Sequence, residues 1–105
     1  MTRAPVKLVT IVAEAVLRER LAELVLGAGA SGYTLSDATG QGSRARRSTT
    51  VLDGENVRLE ALASDEVAER VLEVLAREYF PHYAVVAWIA DVEVVRGGKF
   101  GSRVT

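Results

Sequence analysis

The 105-residue chain has no cysteine, which excludes disulfides, thiolate metal sites and cysteine nucleophiles and points to a reducing, cytoplasmic setting. It has one histidine, His82, so neither a multi-histidine metal centre nor a Ser-His-Asp triad finds support, and His82 reads as a turn residue. No apolar run approaches the ~18 residues of a membrane span, and the N-terminus lacks a long signal core. Direct membrane insertion is therefore not expected, and any membrane association would come through a partner. Acidic residues are missing from one stretch in particular, Ala38 to Leu52, where Arg44, Arg46 and Arg47 contribute +3. Subtracting these from the net charge of −1 leaves −4 for the rest, a basic segment on an acidic body. That near-neutral total argues against a surface built for nucleic acid.

What is present is ordinary globular material. Hydrophobic residues make up 49% and charged residues 26%, which disfavours wholesale disorder, and the length suits one domain over residues 1–105. Val6 to Val12 is β-branched and short, a mostly buried strand. From Glu14 the apolar positions Val16, Leu17, Leu21, Leu24 and Val25 take helical spacing, and Gly27 to Gly29 suit a left-handed cap. A turn at Ser31-Gly32 leads into a second strand around Tyr33-Thr34-Leu35. Residues 40–56 break the pattern and form a loop of a length that is usually functional.

Val57 to Leu62 alternates apolar and charged residues over its first four positions, the pattern of a half-buried third strand. Ser64 followed by Asp65 and Glu66 marks an N-cap, and Val67, Val71, Leu72 and Leu75 form the stripe of a second helix that ends before Pro81. Ala84 to Val95 is a long apolar strand expected to outrun its own sheet, with one face of its second half meeting solvent or another subunit. Residues 96–105 form a tail with little apolar content, expected to be flexible unless a ligand orders it. The order strand, helix, strand, loop, strand, helix, strand predicts an α+β, ferredoxin-like fold: a four-stranded antiparallel sheet with two helices on one face.

The candidate chemistry lies in Gly40-Gln41-Gly42-Ser43-Arg44-Ala45-Arg46-Arg47. Glycines let backbone N–H groups approach an anion, Ser43 supplies a hydroxyl, and arginine forks match phosphate, with Arg44 and Arg47 one helical turn apart. The stretch is neither a Walker A loop nor a dinucleotide fingerprint. Read without function, it is a solvated loop whose arginines keep it in water. Arg96, Lys99 and Phe100 form a second cluster of the same type, equally readable as a frayed terminus. Trp88 and Tyr79-Phe80 read as core or subunit-interface aromatics. Glu60, Asp91 and Glu93 form no convincing carboxylate pair, so no catalytic constellation emerges.

With those residues in place, the chain resembles the PII signalling superfamily, and within it the PII-like proteins of the SbtB type associated with bicarbonate transport. The resemblance runs from about Lys7 to Phe100. It rests on Gly29-Ala30-Ser31-Gly32-Tyr33-Thr34, on Gly40 to Ser48, on Val57-Arg58-Leu59-Glu60, and on Tyr79-Phe80 before the final strand with its Asp91-Val92-Glu93-Val94. It implies a homotrimer with a T-loop over residues 40–56 and ligand clefts between subunits. Thr34 would face the adenine side, Gly40, Gly42, Ser43, Arg44 and Arg47 would address phosphate, and Leu62 would line the base pocket, with Arg96, Lys99 and Phe100 closing over the ligand. It also implies adenine nucleotides (cyclic AMP, AMP, ADP or ATP) as effectors, no required cofactor, and a membrane transporter met through the T-loop. The chain departs from nitrogen-regulatory members in two ways: it has no tyrosine within residues 40–56, and Tyr83-Ala84-Val85-Val86 stands where they carry a Gly-Asp-Gly-Lys phosphate loop. Two other readings compete with the nucleotide sensor. One is a nucleotide-independent module whose basic loop docks on an acidic partner, and the other is slow phosphate-ester hydrolysis in the same cleft.

Overall fold

The computed structural model describes residues 2–39 and 55–95. Strand β1 (Ala4–Glu14) leads through a 3₁₀ turn at Ala15–Leu17 into helix α1 (Arg18–Ala28). Strands β2 (Thr34–Ala38) and β3 (Asn56–Ala63), helix α2 (Asp65–Val74), a π-helical turn (Leu75–Tyr79) and strand β4 (Val86–Val94) follow. The sheet order is β2-β3-β1-β4 with every pairing antiparallel. This is the ferredoxin-like arrangement that the order of elements predicts.

Period-two alternation divides the sheet into two faces. Val9, Ile11 and Ala13 of β1 and Val57, Leu59, Ala61 and Ala63 of β3 are buried in one cluster with Leu21 and Val25 of α1 and Val67, Val71 and Leu75 from α2 and the turn after it. Each fully buried Val, Leu or Ile in this cluster adds roughly 1.5 to 3 kcal/mol of transfer free energy, which holds both helices on one face. The register carries that division across the strands: Leu59 pairs with Ile11 and with Leu35, and Ile89 with Val9. The intervening residues, among them Thr34, Arg58, Glu60, Leu62 and Trp88, point to the face without helices.

Both helices stop and start for local reasons. The Ser64 hydroxyl accepts a hydrogen bond from the Val67 N–H at 3.2 Å, and Asp65 and Glu66 occupy the positive end of α2. At the C-terminus of α1, Gly29 has φ +117°, its N–H donates to the Leu26 carbonyl, and the Ala30 N–H donates to the Val25 carbonyl. This is a Schellman closure, sealed by the buried Ala30.

Several boundaries differ from the expectation. β1 runs to Glu14, beyond Val12, and the 3₁₀ turn then swings Leu17 into the core while leaving Val16 77% exposed, so Val16 does not belong to the helix stripe. β2 starts at Thr34 and leaves Tyr33 exposed before it. β4 begins at Val86, because Val85 packs against the core from the preceding loop. The expected overrun of the last strand is shared: β3 ends opposite Lys7, and β1 and β4 continue as a two-stranded ribbon to the pair Ala4 and Val94.

Candidate functional site

The β2–β3 connection leaves from and returns to one point, since Ala38 pairs directly with Asn56. That point is fastened on both sides. The Arg18 guanidinium at the start of α1 bonds the Asp37 carboxylate at 3.0 Å, the Ala15 N–H donates to the Glu55 carbonyl at 3.2 Å, and Asn56 is buried. The expected phosphate residues Gly40, Gly42, Ser43, Arg44 and Arg47 lie outside the described residues, as do Arg96, Lys99 and Phe100. The two expected base-side residues are described. Thr34 is exposed at the start of β2, opposite Glu60, and Leu62 stands half-buried two residues along β3 on the same face. The structure therefore brings Thr34 and Leu62 together as diagonal neighbours.

Around them the face without helices is a mixed surface. One row across the sheet reads Thr34, Glu60, Thr10, Trp88, and the next reads Ser36, Arg58, Val12, Val86. Arg58 bonds Glu60 at 3.4 Å and lies 5.4 Å from the centre of the Trp88 ring, a cation–π contact that reaches diagonally across β1. Trp88 and Val86 each remain 42% exposed. Beneath them Thr10 is fully buried, and its hydroxyl has no hydrogen-bond partner among the described residues. Sequence reasoning missed the Arg58–Glu60–Trp88 cluster. The alternation within β3 puts Arg58 and Glu60 on one face, but only the pairing of β1 with both neighbours brings Trp88 to them.

The three strand carboxylates each meet a base. Glu60 faces Arg58, Glu93 sits 3.6 Å from Arg3, and Asp91 bonds Lys7, which also lies 3.8 Å from Asp65 at the head of α2. The hydrogen bond from Lys7 to Asp91 is the main cause that raises the Lys7 pKa above its ordinary value, against a smaller lowering by desolvation. Among the described residues no group of three or more metal-capable side chains gathers. His82 sits in the turn after α2, its N–H donating to the Tyr79 carbonyl. Of the aromatics, Tyr79 is buried in the core, while Phe80 and Trp88 are exposed.

A ferredoxin-like subunit with a fastened β2–β3 loop base and a bare sheet face defines a class of α+β proteins with many uses. The comparisons narrow it. The family model for nitrogen regulatory protein P-II matches residues 6–99, and the chain belongs to that family of signalling proteins. A crystal structure of a PII-like signalling protein from Thermus thermophilus is 51% identical, with a TM-score of 0.81 over 95% of this chain and 99% of that one. CPII from Thiomonas intermedia, solved with ADP, AMP and acetate, is 25% identical with a TM-score of 0.81, covering 97% of this chain and 100% of that one. The same protein with ADP and bicarbonate gives 26% identity and a TM-score of 0.79, covering 94% and 97%.

Proposed function

We propose that this chain is a PII-like signal-transduction protein of the SbtB type, which senses adenine nucleotides in clefts between the subunits of a homotrimer. It regulates a partner, a bicarbonate or related transporter, through a T-loop over residues 40–56. The single observation that carries this reading is the likeness, across nearly the whole chain, to a PII-like protein solved with ADP and AMP. The bicarbonate in a further structure of that protein supports a link to inorganic carbon.

The shared face of Thr34 and Leu62 supports their assignment to the adenine side. The geometry of β4 supports a cleft between subunits. The loop base lies at the Glu14 end of β1, level with the start of β4, whereas β4 gives out opposite Ala4. Eight residue steps of strand separate Val86 from Val94, roughly 26 Å at ~3.3 Å each. The basic segment after Ala38 and the basic tail after Val95 thus depart from opposite ends of one subunit, and a neighbouring copy offers a direct way to bring them to one ligand. The exposed Trp88 and Val86 supply apolar area for that contact.

In this reading the nucleotide acts as a switch. Phosphate held by Gly40, Gly42, Ser43, Arg44 and Arg47, with Arg96, Lys99 and Phe100 closing from the tail, orders the T-loop and changes the surface that a partner meets. The protein regulates rather than catalyses, needs no cofactor, and works in the cytoplasm, reaching the membrane only through its transporter.

Calorimetric titration with cyclic AMP, AMP, ADP and ATP tests the proposal. Arg44→Ala and Arg47→Ala each remove charge-assisted forks and should cost about 2 to 4 kcal/mol, a loss of roughly 30-fold or more in affinity. Unchanged affinity in both variants removes the arginine assignment. Absence of nucleotide binding, together with partner capture that weakens as salt rises, would establish the nucleotide-independent docking module instead.

A further inference from the structure

On the side of the molecule opposite the bare sheet face, α1, α2 and the turn after α2 flank an open groove of about 410 Å³, within the size range of small-molecule sites. Its walls carry charge of both signs, Arg20 and Glu23 from α1 and Arg70 from α2, over an apolar floor that includes Leu24 and Val74. These charges do not cancel one another. Neither arginine makes an ion pair among the described residues, and Glu23 has no hydrogen-bond or ion-pair partner among them. The other acid on the rim, Glu78, is taken by its neighbour Arg77 at 3.3 Å.

Both guanidiniums are held in place by neutral groups. Arg20 donates to the Tyr83 hydroxyl at 2.9 Å and lies over the Tyr79 and Tyr83 rings, 5.3 and 5.6 Å from their centres. Arg70 donates from Nε to the Ala28 carbonyl at 2.8 Å. Each has five N–H donors, so most remain free for an anion. The π-helical turn contributes to this arrangement, because its wider winding places Tyr79 under Arg20, and such turns recur at functional sites.

A second, independent observation concerns Gly27, which also lines the groove. It lies inside α1 without a positive φ, and a Cβ added there would meet nothing within 4 Å. Glycine weakens a helix relative to alanine, and no neighbour among the described residues needs the space. The missing side chain leaves this stretch of the groove wall bare.

We infer that this groove binds a free α-amino acid with an aliphatic side chain. The carboxylate engages Arg20 and Arg70, the ammonium engages Glu23, and the side chain lies on Leu24 and Val74. Unpaired charges of both signs beside apolar side chains match a zwitterion better than a simple anion, which Glu23 would repel. This second ligand is distinct from the nucleotide and sits on the other face of the sheet.

The test is calorimetric titration of the full-length protein with millimolar L-leucine, N-acetyl-L-leucine and L-leucinamide, with and without saturating ADP. L-Leucine should bind, and each capped analogue, lacking one charge, should bind at least about tenfold more weakly. Gly27→Leu should abolish L-leucine binding without lowering the thermal melt or any ADP affinity, and Glu23→Gln should remove the advantage of L-leucine over its N-acetyl form. Absence of L-leucine binding, equal binding of N-acetyl-L-leucine, or binding that survives Gly27→Leu overturns the inference.

Discussion

Replacing Gly29 by alanine tests the closure of α1 and the docking of α2 at once. The backbone at Gly29 has φ +117°, where an L-residue with a Cβ is strained by about 1 to 2 kcal/mol. The new Cβ would also stand 3.0 Å from Arg70 Nη2 and 3.1 Å from Val67 Cγ2. Val67 is buried in the core and cannot retreat freely, while Arg70 Nη2, at the far end of a flexible side chain, must give by a few tenths of an ångström and so strains the Nε hydrogen bond to the Ala28 carbonyl. Such a bond contributes about 0.5 to 1.5 kcal/mol. Together these give an expected loss of about 2 to 3 kcal/mol. Urea unfolding followed by circular dichroism at fixed protein concentration measures it, with an unchanged slope showing that the unfolding transition is the same. Gly27→Ala, two residues earlier in the same helix, is the control. With open space around its Cβ, it should gain up to about 1 kcal/mol. If Gly29→Ala loses less than about 0.5 kcal/mol, or if both variants lose equally, the conformational account of Gly29 is wrong.

Three further outcomes are expected. In the proposed homotrimer, Trp88→Glu places a charge on the bare sheet face, and sedimentation should shift from three times the 11.3 kDa chain mass toward a single subunit, whereas an unshifted trimer would remove that face from the interface. Ser64→Ala removes the hydroxyl that caps α2 and should cost about 1 kcal/mol in urea unfolding, with a change within error counting against the cap. Lys7 has a pKa raised above the ordinary 10.5, so its contribution to stability is complete below that value and is lost as pH rises through the folded-state pKa. Lys7→Met should therefore flatten the alkaline decline in melting temperature, and an unaltered decline would show that the Asp91 and Asp65 contacts do not stabilise the fold.

Much of the fold was legible because its signals are local. Ser64 caps the helix that its sequence context announces, Gly29 closes α1, and the alternation from Val57 to Glu60 matches the two faces of β3. The misplaced boundaries also have physical causes. Ala15, Val16 and Leu17 suit a strand, a turn or a helix equally well, and only the 3₁₀ turn decides that Leu17 enters the core and Val16 does not. Ala84 and Val85 read as strand because they are apolar, yet Val85 meets the core from a loop. The candidate site was less legible. Thr34 and Leu62 were placed by family resemblance, and their shared face follows from register. Arg58, Glu60 and Trp88 meet only because β1 lies between β3 and β4, a long-range order that no window of sequence contains. The groove between the helices was hidden for a similar reason, since Arg20 and Tyr79 are joined by tertiary packing and by a π-helical turn.

The direct pairing of Ala38 with Asn56 has an evolutionary consequence. Because the two strands already meet and are pinned by Arg18, Asp37 and the Ala15 N–H, their own register does not depend on the intervening sequence. Lengthening such a connection costs little, about 0.6 kcal/mol for each doubling. The core therefore tolerates changes in the length and composition of this connection, and what the connection must bind is the constraint that remains. A scaffold of this kind can acquire a new correspondent by exchanging one segment, and a chimaera carrying a relative's connection between Ala38 and Asn56 should fold as this chain does while answering to the donor's partner.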